Sequence, residues 1–287
     1  MKILVTGSEG FIGKHLCAAL IAADHIVLKL DIALGVDIAD EKWVNEIEEF
    51  DILYHLAAIT FVPDSFNYPH RFFKTNFLGT LNALEACRKY KAKMVYISSY
   101  VYGAPITIPV NEQHAISAHN PYAQSKIIGE DLCRSFNRDF DVKIVIIRPF
   151  NVFGYGQNKS FLIPSIFNQA SNGLVTLMDA RPKRDLLYID DFIDGLLTLT
   201  VKEFPSIEIF NMGSGASISV ANLAEIISKF YDFEVAIEYT NQYRQGEILE
   251  TKADISKAEK QLGWSPKYTI EDALRIIYLK TIENESV

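Results

Sequence analysis

The sequence predicts an α/β chain built on a doubly wound parallel sheet, followed by a smaller α/β part. Three observations predict it. Through the first half, apolar runs of strand length alternate with helix-length amphipathic segments, the pattern of repeated β-α-β units. A glycine-rich turn, Gly7-Ser8-Glu9-Gly10-Phe11-Ile12-Gly13, stands between the first run and the first amphipathic segment. After Arg148-Pro149 the rhythm breaks, and Gly154, Gly156, Pro164, Gly173 and Pro182 divide the chain into shorter pieces.

Taken in order, residues 2–5 read as a strand, 12–22 as a helix and 26–30 as a second strand. Residues 41–49 read as a helix and 52–56 as the third strand. Residues 76–90 carry Phe77, Leu81 and Leu84 at helical spacing, and 94–97 form the next strand. A long helix runs from Pro121 to about Arg138, ahead of a strand over 143–147. Beyond the break, 207–211 read as one more strand of the same sheet, and 220–230 and 269–278 as amphipathic helices. Leu262-Gly263-Trp264-Ser265-Pro266 reads as a turn. No internal repeat is visible. In such a sheet ligands bind outside the carboxyl ends of the strands, at the switch point.

Composition narrows the class of protein. With 287 residues, 49% apolar and 22% charged, the chain has an ordinary soluble balance and enough length for a large core. No apolar stretch approaches the roughly 18 residues of a membrane-spanning helix. Met1-Lys2-Ile3-Leu4-Val5-Thr6-Gly7 runs directly into a strand and lacks the layout of a signal peptide. Cys17, Cys87 and Cys133 are widely spaced, with no CxxC or HxxxH pattern, so they read as small buried thiols of a cytoplasmic protein rather than metal ligands. A formal net charge of −8 argues against a nucleic-acid partner. It leaves an anionic small ligand open, because local groups override the global field.

The glycine turn supplies the first chemistry. Glycines at 7, 10 and 13 allow a tight turn, close approach of backbone N–H groups to a pyrophosphate, and close helix–strand contact. The spacing is GxxGxxG rather than GxGxxG, and alone it is weak. Its context strengthens it: a strand before, a helix after, and Asp31 at the end of strand two, about 20 residues on. This is the layout of a Rossmann-type dinucleotide site. Asp31 would accept hydrogen bonds from the adenosine ribose hydroxyls and repel a 2′-phosphate, and Ile32 offers that phosphate no cation. NAD is therefore expected over NADP. Asp37-Ile38 follows where an aspartate can reach the adenine amino group; a plain loop aspartate is the alternative.

Tyr122-Ala123-Gln124-Ser125-Lys126 opens the long helix, and its i, i+4 spacing puts both functional side chains on one face. A phenol with a pKa near ~10 is a poor base at neutral pH. A neighbouring ammonium and an oxidised nicotinamide would both lower it, so that Tyr122 takes a proton from a hydroxyl as hydride leaves the same carbon. Alone, YxxxK is as compatible with a surface helix pair. Ser98 and Ser99, at the end of the strand over 94–97, add a hydroxyl that can bridge the substrate oxygen and Tyr122, although serines there also form turns.

With these motifs in place the chain resembles the extended short-chain dehydrogenase/reductase family, the NAD-dependent epimerases and dehydratases of nucleotide sugars. The resemblance covers nearly the whole length. It includes the Thr6–Gly13 turn, His55-Leu56-Ala57-Ala58, Asn76-Phe77-Leu78-Gly79-Thr80, Ser98-Ser99-Tyr100-Val101-Tyr102-Gly103 and Pro121-Tyr122-Ala123-Gln124-Ser125-Lys126. It continues through Arg148-Pro149-Phe150-Asn151-Val152-Phe153-Gly154 and Arg184-Asp185-Leu186-Leu187-Tyr188-Ile189-Asp190-Asp191.

That resemblance implies Ser98, Tyr122 and Lys126 as the catalytic set, with Ser99 as the alternative if the strand end shifts by one. It implies cofactor contacts from Gly7, Gly10, Phe11, Ile12, Gly13, Asp31, Asp37, Ile38, Leu56, Ala57, Ala58 and Asn76, together with Tyr122 and Lys126. Ser99, Asn151, Arg184 and Arg244 fall where relatives hold substrate, the arginines on its diphosphate. It also implies an NAD-binding domain of residues 1–150 plus about 187–212. The remainder, about 151–186 plus 213–287, would be a smaller C-terminal α/β substrate domain that binds the nucleotide sugar.

Dehydratase and decarboxylase relatives carry acids just after the catalytic Ser/Thr; here those positions are Ser99 and Tyr100, so 4,6-dehydration is not expected. The leading expectation is a UDP-hexose-type 4-epimerase acting through a transient 4-keto sugar. The alternatives are an NAD(P)-dependent 4-ketoreductase or dehydrogenase of a 6-deoxy-4-keto nucleotide sugar, and a non-catalytic dinucleotide-binding protein. Relatives often dimerise through the helix after Asn76 and the YxxxK helix, so a homodimer is expected, although Phe77, Leu81, Leu84, Ile127, Ile128 and Leu132 could equally face the chain's own sheet.

Overall fold

Strand β1 (Lys2–Thr6) passes through the glycine turn into α1 (Phe11–Ala22), and β2 (Ile26–Leu30) returns parallel to β1. The computed structural model describes residues 1–243 and 247–285. Next come α2 (Lys42–Glu46), β3 (Ile52–His55), α3 (Val62–Asn67), α4 (Pro69–Phe73), a π-helical turn over Lys74–Leu78, α5 (Gly79–Tyr90) and β4 (Lys93–Ile97). The long α6 (Pro121–Phe140) leads to β5 (Ile144–Pro149).

The later part contains β6 (Asn151–Phe153), α7 (Leu162–Ala170), β7 (Leu174–Leu177), β8 (Lys183–Arg184), β9 (Leu186–Tyr188), α8 (Ile189–Thr198) and β10 (Glu208–Met212). It ends with β11 (Ile218–Ser219), α9 (Val220–Ser228), β12 (Ala236–Tyr239), α10 (Ser256–Leu262) and α11 (Ile270–Glu285). Among the described residues no helix is long and apolar enough to cross a membrane.

The main sheet has six strands in the order β10-β5-β4-β3-β1-β2, and every neighbouring pair is parallel. The chain steps from β1 to β2 on one side and then to β3 on the other. The switch point therefore lies between β1 and β3, and the crevice outside their carboxyl ends is where such a sheet takes its ligand. The strand expected over 207–211 joins as β10 beside β5, as the sequence suggested. The later elements add three two-stranded pairings: β6 with β9, β7 with β12 and β8 with β11.

Alternation along the strands builds two cores. Ile3, Val5, Ile52, Tyr54, Val95, Ile97, Val145 and Ile147 face one side, where Leu16 and Leu20 of α1 cover them. That core continues without interruption into the C-terminal elements through Ile166, Val175, Phe192, Leu223 and Leu274. Leu4, Leu53, Met94, Tyr96, Ile144 and Ile146 face the other side, against Leu84 and Cys87 of α5 and Cys133 and Phe136 of α6. All three cysteines are buried and free.

Two departures from the sequence reading matter for the site. Residues 62–73, unassigned from the sequence, form α3 and α4, each with a proline in its first turn, where the missing N–H costs nothing. The helix expected from residue 76 begins instead with the π-helical turn, and α5 starts at Gly79. The wider turn carries Asn76, whose side chain is held by residues outside the helix.

Candidate active site

The glycine turn is shaped by backbone contacts that admit no side chain. Gly7 has φ of +71° and donates its N–H to Leu30 O at 2.8 Å. A Cβ on Gly13 would lie 2.0 Å from Gly7 O, and one on Gly7 would lie 2.8 Å from Ala57 N. The turn, the start of α1 and the Leu56–Ala57–Ala58 segment after β3 are thus in direct contact. Helix α1 is capped by Gly10 with no side-chain cap and no acid in its first turn, so its first N–H groups and positive dipole end are open to an anion. Phe11 and Ile12 are half-buried against the core beside it.

Asp31 extends from the end of β2, and its carboxylate is oriented by two backbone donors, Glu9 N and Ala33 N, each at 2.9 Å. Asp37 is exposed and accepts from Ala39 N at 2.9 Å. The side chain of Ile38 is buried under Gly79, and its carbonyl accepts from Trp43 Nε1 at 3.1 Å and Asn82 Nδ2 at 3.0 Å, so neither is turned to a ligand. Core packing takes this side chain because it is the apolar member of the Asp37-Ile38 pair.

Asn76 also differs from its expected role. It is 1% exposed, its amide is hydrogen-bonded to both Ile59 N and Ile59 O, and its Nδ2 reaches Ser125 Oγ at 2.8 Å. A side chain so fully bonded to protein orients the loop after β3 and the first turn of α6 rather than binding a ligand itself. A second buried chain lies beneath: Ala57 N to Thr6 Oγ1, Thr6 Oγ1 to His55 Nδ1 at 2.8 Å, and His55 Nε2 to Thr80 Oγ1 at 3.2 Å. Thr80 donates to Asn76 O at 2.6 Å, which leaves its oxygen to accept from His55 Nε2–H and sets the tautomer. Burial, and then the Lys126 ammonium, push the His55 imidazole down to about 3.

Helix α6 begins cleanly because Asn120 caps it, accepting from Ala123 N at 2.7 Å, and Pro121 supplies its fixed φ. This start places Tyr122 and Lys126 on the helix face turned toward β4. Lys126 is 3% exposed, and its Nζ lies 4.6 Å from the Tyr96 ring centroid. Burial lowers its ammonium to about 8, with Cys133 and Glu130 opposing the shift. Burial raises the Tyr122 phenol above its ordinary value, opposed by a hydrogen bond from Ser99. In the protein alone, then, desolvation outweighs the lowering that the helix spacing led us to expect.

The serine beside Tyr122 is Ser99, not Ser98. Ser98 is 3% exposed and donates to Glu130 Oε1 at 2.7 Å. Strand β4 ends at Ile97, and the alternation of successive side chains turns the two serines in opposite directions. The expectation for Ser98 is therefore corrected: the buried carboxylate below engages its hydroxyl.

Among the other expected substrate contacts, Asn151 donates to Asp185 O at 2.9 Å. Arg184 donates to Ile248 O at 2.7 Å and pairs with the Glu247 carboxylate; its charge also acts on the Tyr100 phenol just after Ser99. Arg244 lies outside the described residues. The sequence reading missed the Glu130–Arg148 pair, both 1% exposed or less and joined at 2.6 Å. Two signals mark it: Glu130 continues the i, i+4 stripe of Tyr122 and Lys126, and Arg148 interrupts an otherwise apolar buried strand.

Together the carboxyl ends of β1, β2, β3 and β4 bring an anion-binding helix end, a ribose-type carboxylate, and a Ser–Tyr–Lys set to one edge. This arrangement can hold a dinucleotide and move a proton at a hydroxyl next to it.

Residues 3–213 match the model of the NAD dependent epimerase/dehydratase family. The chain is 32% identical to the GDP-6-deoxy-D-mannose reductase of Pseudomonas aeruginosa, over 96% of this chain and 95% of that one. Among solved structures it resembles a UDP-glucose 4-epimerase with UDP-glucose from Thermotoga maritima, with a TM-score of 0.90 and 28% identity over 98% of this chain and 100% of that one. It resembles equally a UDP-glucuronic acid 4-epimerase from Bacillus cereus in complex with UDP-glucuronic acid and NAD, with a TM-score of 0.90 and 28% identity over 99% and 100% of the two chains.

Proposed function

The chain belongs to the NAD dependent epimerase/dehydratase family, and from that premise we propose that it is a nucleotide-sugar 4-epimerase of the UDP-hexose type. The observation that carries the reading is the placement of the Ser99 hydroxyl beside the Tyr122 phenol, one helical turn from the buried Lys126 and near the glycine turn. The residues fit NAD: the uncapped α1 terminus suits a pyrophosphate, and the pre-oriented Asp31 carboxylate suits two ribose hydroxyls. Bound NAD supplies a reversible hydride acceptor.

The chain's own residues do the rest. Tyr122 takes the proton from the sugar C4 hydroxyl and later returns it, while Ser99 holds that oxygen and Lys126 stabilises the phenolate. Arg184, Arg244 and Asn151 hold the diphosphate and adjoining groups, so that the 4-keto sugar turns over while its anchor stays fixed. The cofactor part is residues 1–150 plus about 187–212, and the rest holds the sugar nucleotide. The residues following Ser99 are Tyr100 and Val101, neither an acid, so moving the hydroxyl role by one position brings in no group able to expel a C6 hydroxyl.

A homodimer through α5, the turn before it and α6 fits the half-buried Phe77, Ile127 and Ile128; Leu84 is fully buried in the chain's own core, and Leu81 and Leu132 pack against it. A cytoplasmic setting agrees with the three free thiols.

The second reading is a 4-ketoreductase of a 6-deoxy-4-keto nucleotide sugar, favoured by the 32% identity to a reductase of that kind. One experiment separates the two. Purified protein is incubated with UDP-, dTDP- and GDP-sugars without added cofactor, and product anomeric signals are followed by NMR. Epimerisation with NAD retained through gel filtration supports the first reading; turnover that requires stoichiometric reduced cofactor replaces it with the second.

A further inference from the structure

The buried charge beneath the site has a role that the hydride chemistry alone does not assign. Tyr122, Lys126 and Glu130 follow one another at i, i+4 and i+8 on α6, so one stripe of the helix carries the base, its ammonium and a carboxylate. Glu130 is wholly buried and accepts four hydrogen bonds. Its Oε1 takes Ser98 Oγ at 2.7 Å and Arg148 Nε at 2.8 Å; its Oε2 takes Arg148 Nη2 at 2.6 Å and Arg134 Nη2 at 2.9 Å. Arg148 stands at the end of β5 and reaches on through Tyr102 to Asn211 of β10. One carboxylate therefore ties the carboxyl ends of β4 and β5 to the helix that carries the base.

We propose that Glu130 is a positioning residue for the Ser99–Tyr122–Lys126 set: by fixing Ser98 it aims the next residue, Ser99, at Tyr122, and by its charge one turn away it keeps Lys126 an ammonium. The geometry bears on both parts. Ser98 and Ser99 are adjacent at the strand end, so a hydroxyl locked below sets the direction of the one above. The Tyr96 ring of β4 lies 4.6 Å from Lys126 Nζ, and Cys133 of its own helix and neutral His55 of β3 stand near enough to interact with its charge. Among these and Glu130, the carboxylate is the one anion at neutral pH. Burying a carboxylate is costly, and an apolar pair at positions 130 and 148 would pack as well, so stability alone does not require it. The inference rests on the catalytic reading above.

Its test uses two variants. Glu130→Gln keeps the shape and removes the charge, and isotope-labelled lysine, assigned with Lys126→Met, reports the Lys126 titration by NMR. The midpoint is expected to fall by about one pH unit, and the alkaline limb of kcat with it. Ser98→Ala leaves the ion pair intact and is expected to lower kcat about tenfold with KM and NAD binding unchanged. An unmoved Lys126 midpoint in Glu130→Gln overturns the proposal, as does a Ser98→Ala kcat within about twofold of the parent. If Glu130→Gln does not fold, the Ser98→Ala result decides. Full activity in Tyr122→Phe would instead overturn the catalytic reading, so the two failures are distinguishable.

Discussion

Replacing Gly13 with alanine tests the close packing of the cofactor turn. The added Cβ would sit 2.0 Å from Gly7 O and under 3.0 Å from Ser8 Cα and Gly7 C, all backbone atoms, whereas ordinary contact begins near 3.4 Å. The turn must move by more than an ångström to admit it. That movement works against Gly7 N to Leu30 O at 2.8 Å and Gly10 N to Gly7 O at 3.1 Å. Overpacking of this kind costs about 1–3 kcal/mol, and each weakened hydrogen bond about 0.5–1.5 kcal/mol. Alanine in a helix returns about 1 kcal/mol of propensity. The net expectation is a loss of about 1–5 kcal/mol in urea denaturation, with NAD affinity falling at least ~10-fold because the turn that faces the pyrophosphate is displaced. A variant with the parent denaturation midpoint and the parent Kd for NAD would refute the close contact of turn and helix.

Tyr122→Phe is expected to lower kcat by about 10²–10⁴ while leaving NAD bound, as read by product formation and cofactor content; a loss confined to KM would remove the phenol from proton transfer. Asp31→Ala is expected to narrow the NAD-over-NADP preference at least ~10-fold in direct titrations, since a carboxylate held by two backbone donors cannot turn away from a 2′-phosphate; an unchanged ratio would take Asp31 out of the ribose site. His55 has a folded value of about 3 against an ordinary 6.5, so the unfolded chain binds its proton first. The stability contributed by the neutral imidazole is complete above pH ~6.5 and declines as pH falls toward 3, with about 2 kcal/mol lost by pH ~5. Denaturation of the parent and of His55→Gln across that window should differ in slope, and parallel pH dependences would contradict the buried neutral imidazole.

Much of the site was legible because its chemistry is local. The Gly7–Gly13 spacing, Asp31 after the second strand and the i, i+4 pair of Tyr122 and Lys126 are each set within one β-α unit or one helical turn. Periodicity likewise shows on which side of a strand Ile3 and Leu4 fall. What failed depended on contacts between distant segments. Ser98 and Ser99 are indistinguishable by type, and only Glu130 of α6 decides which one faces Tyr122. The Ile38 side chain looked available for adenine until Gly79 of α5 proved to cover it. Asn76 looked like a ligand-binding amide until Ile59 and Ser125 engaged both its donor and acceptor.

The sequence by itself therefore determined the parallel α/β plan, the glycine turn with Asp31 after the next strand, and the placing of Tyr122 and Lys126 one turn apart on one helix, because backbone geometry and helical spacing act over a few residues. Tertiary structure alone decided which hydroxyl joins that pair, which expected ligands are instead supports, and how desolvation shifts the phenol and the ammonium. Those outcomes depend on which polar groups from separate strands and helices meet away from water, where each must find a partner, and no interval along the chain encodes that meeting.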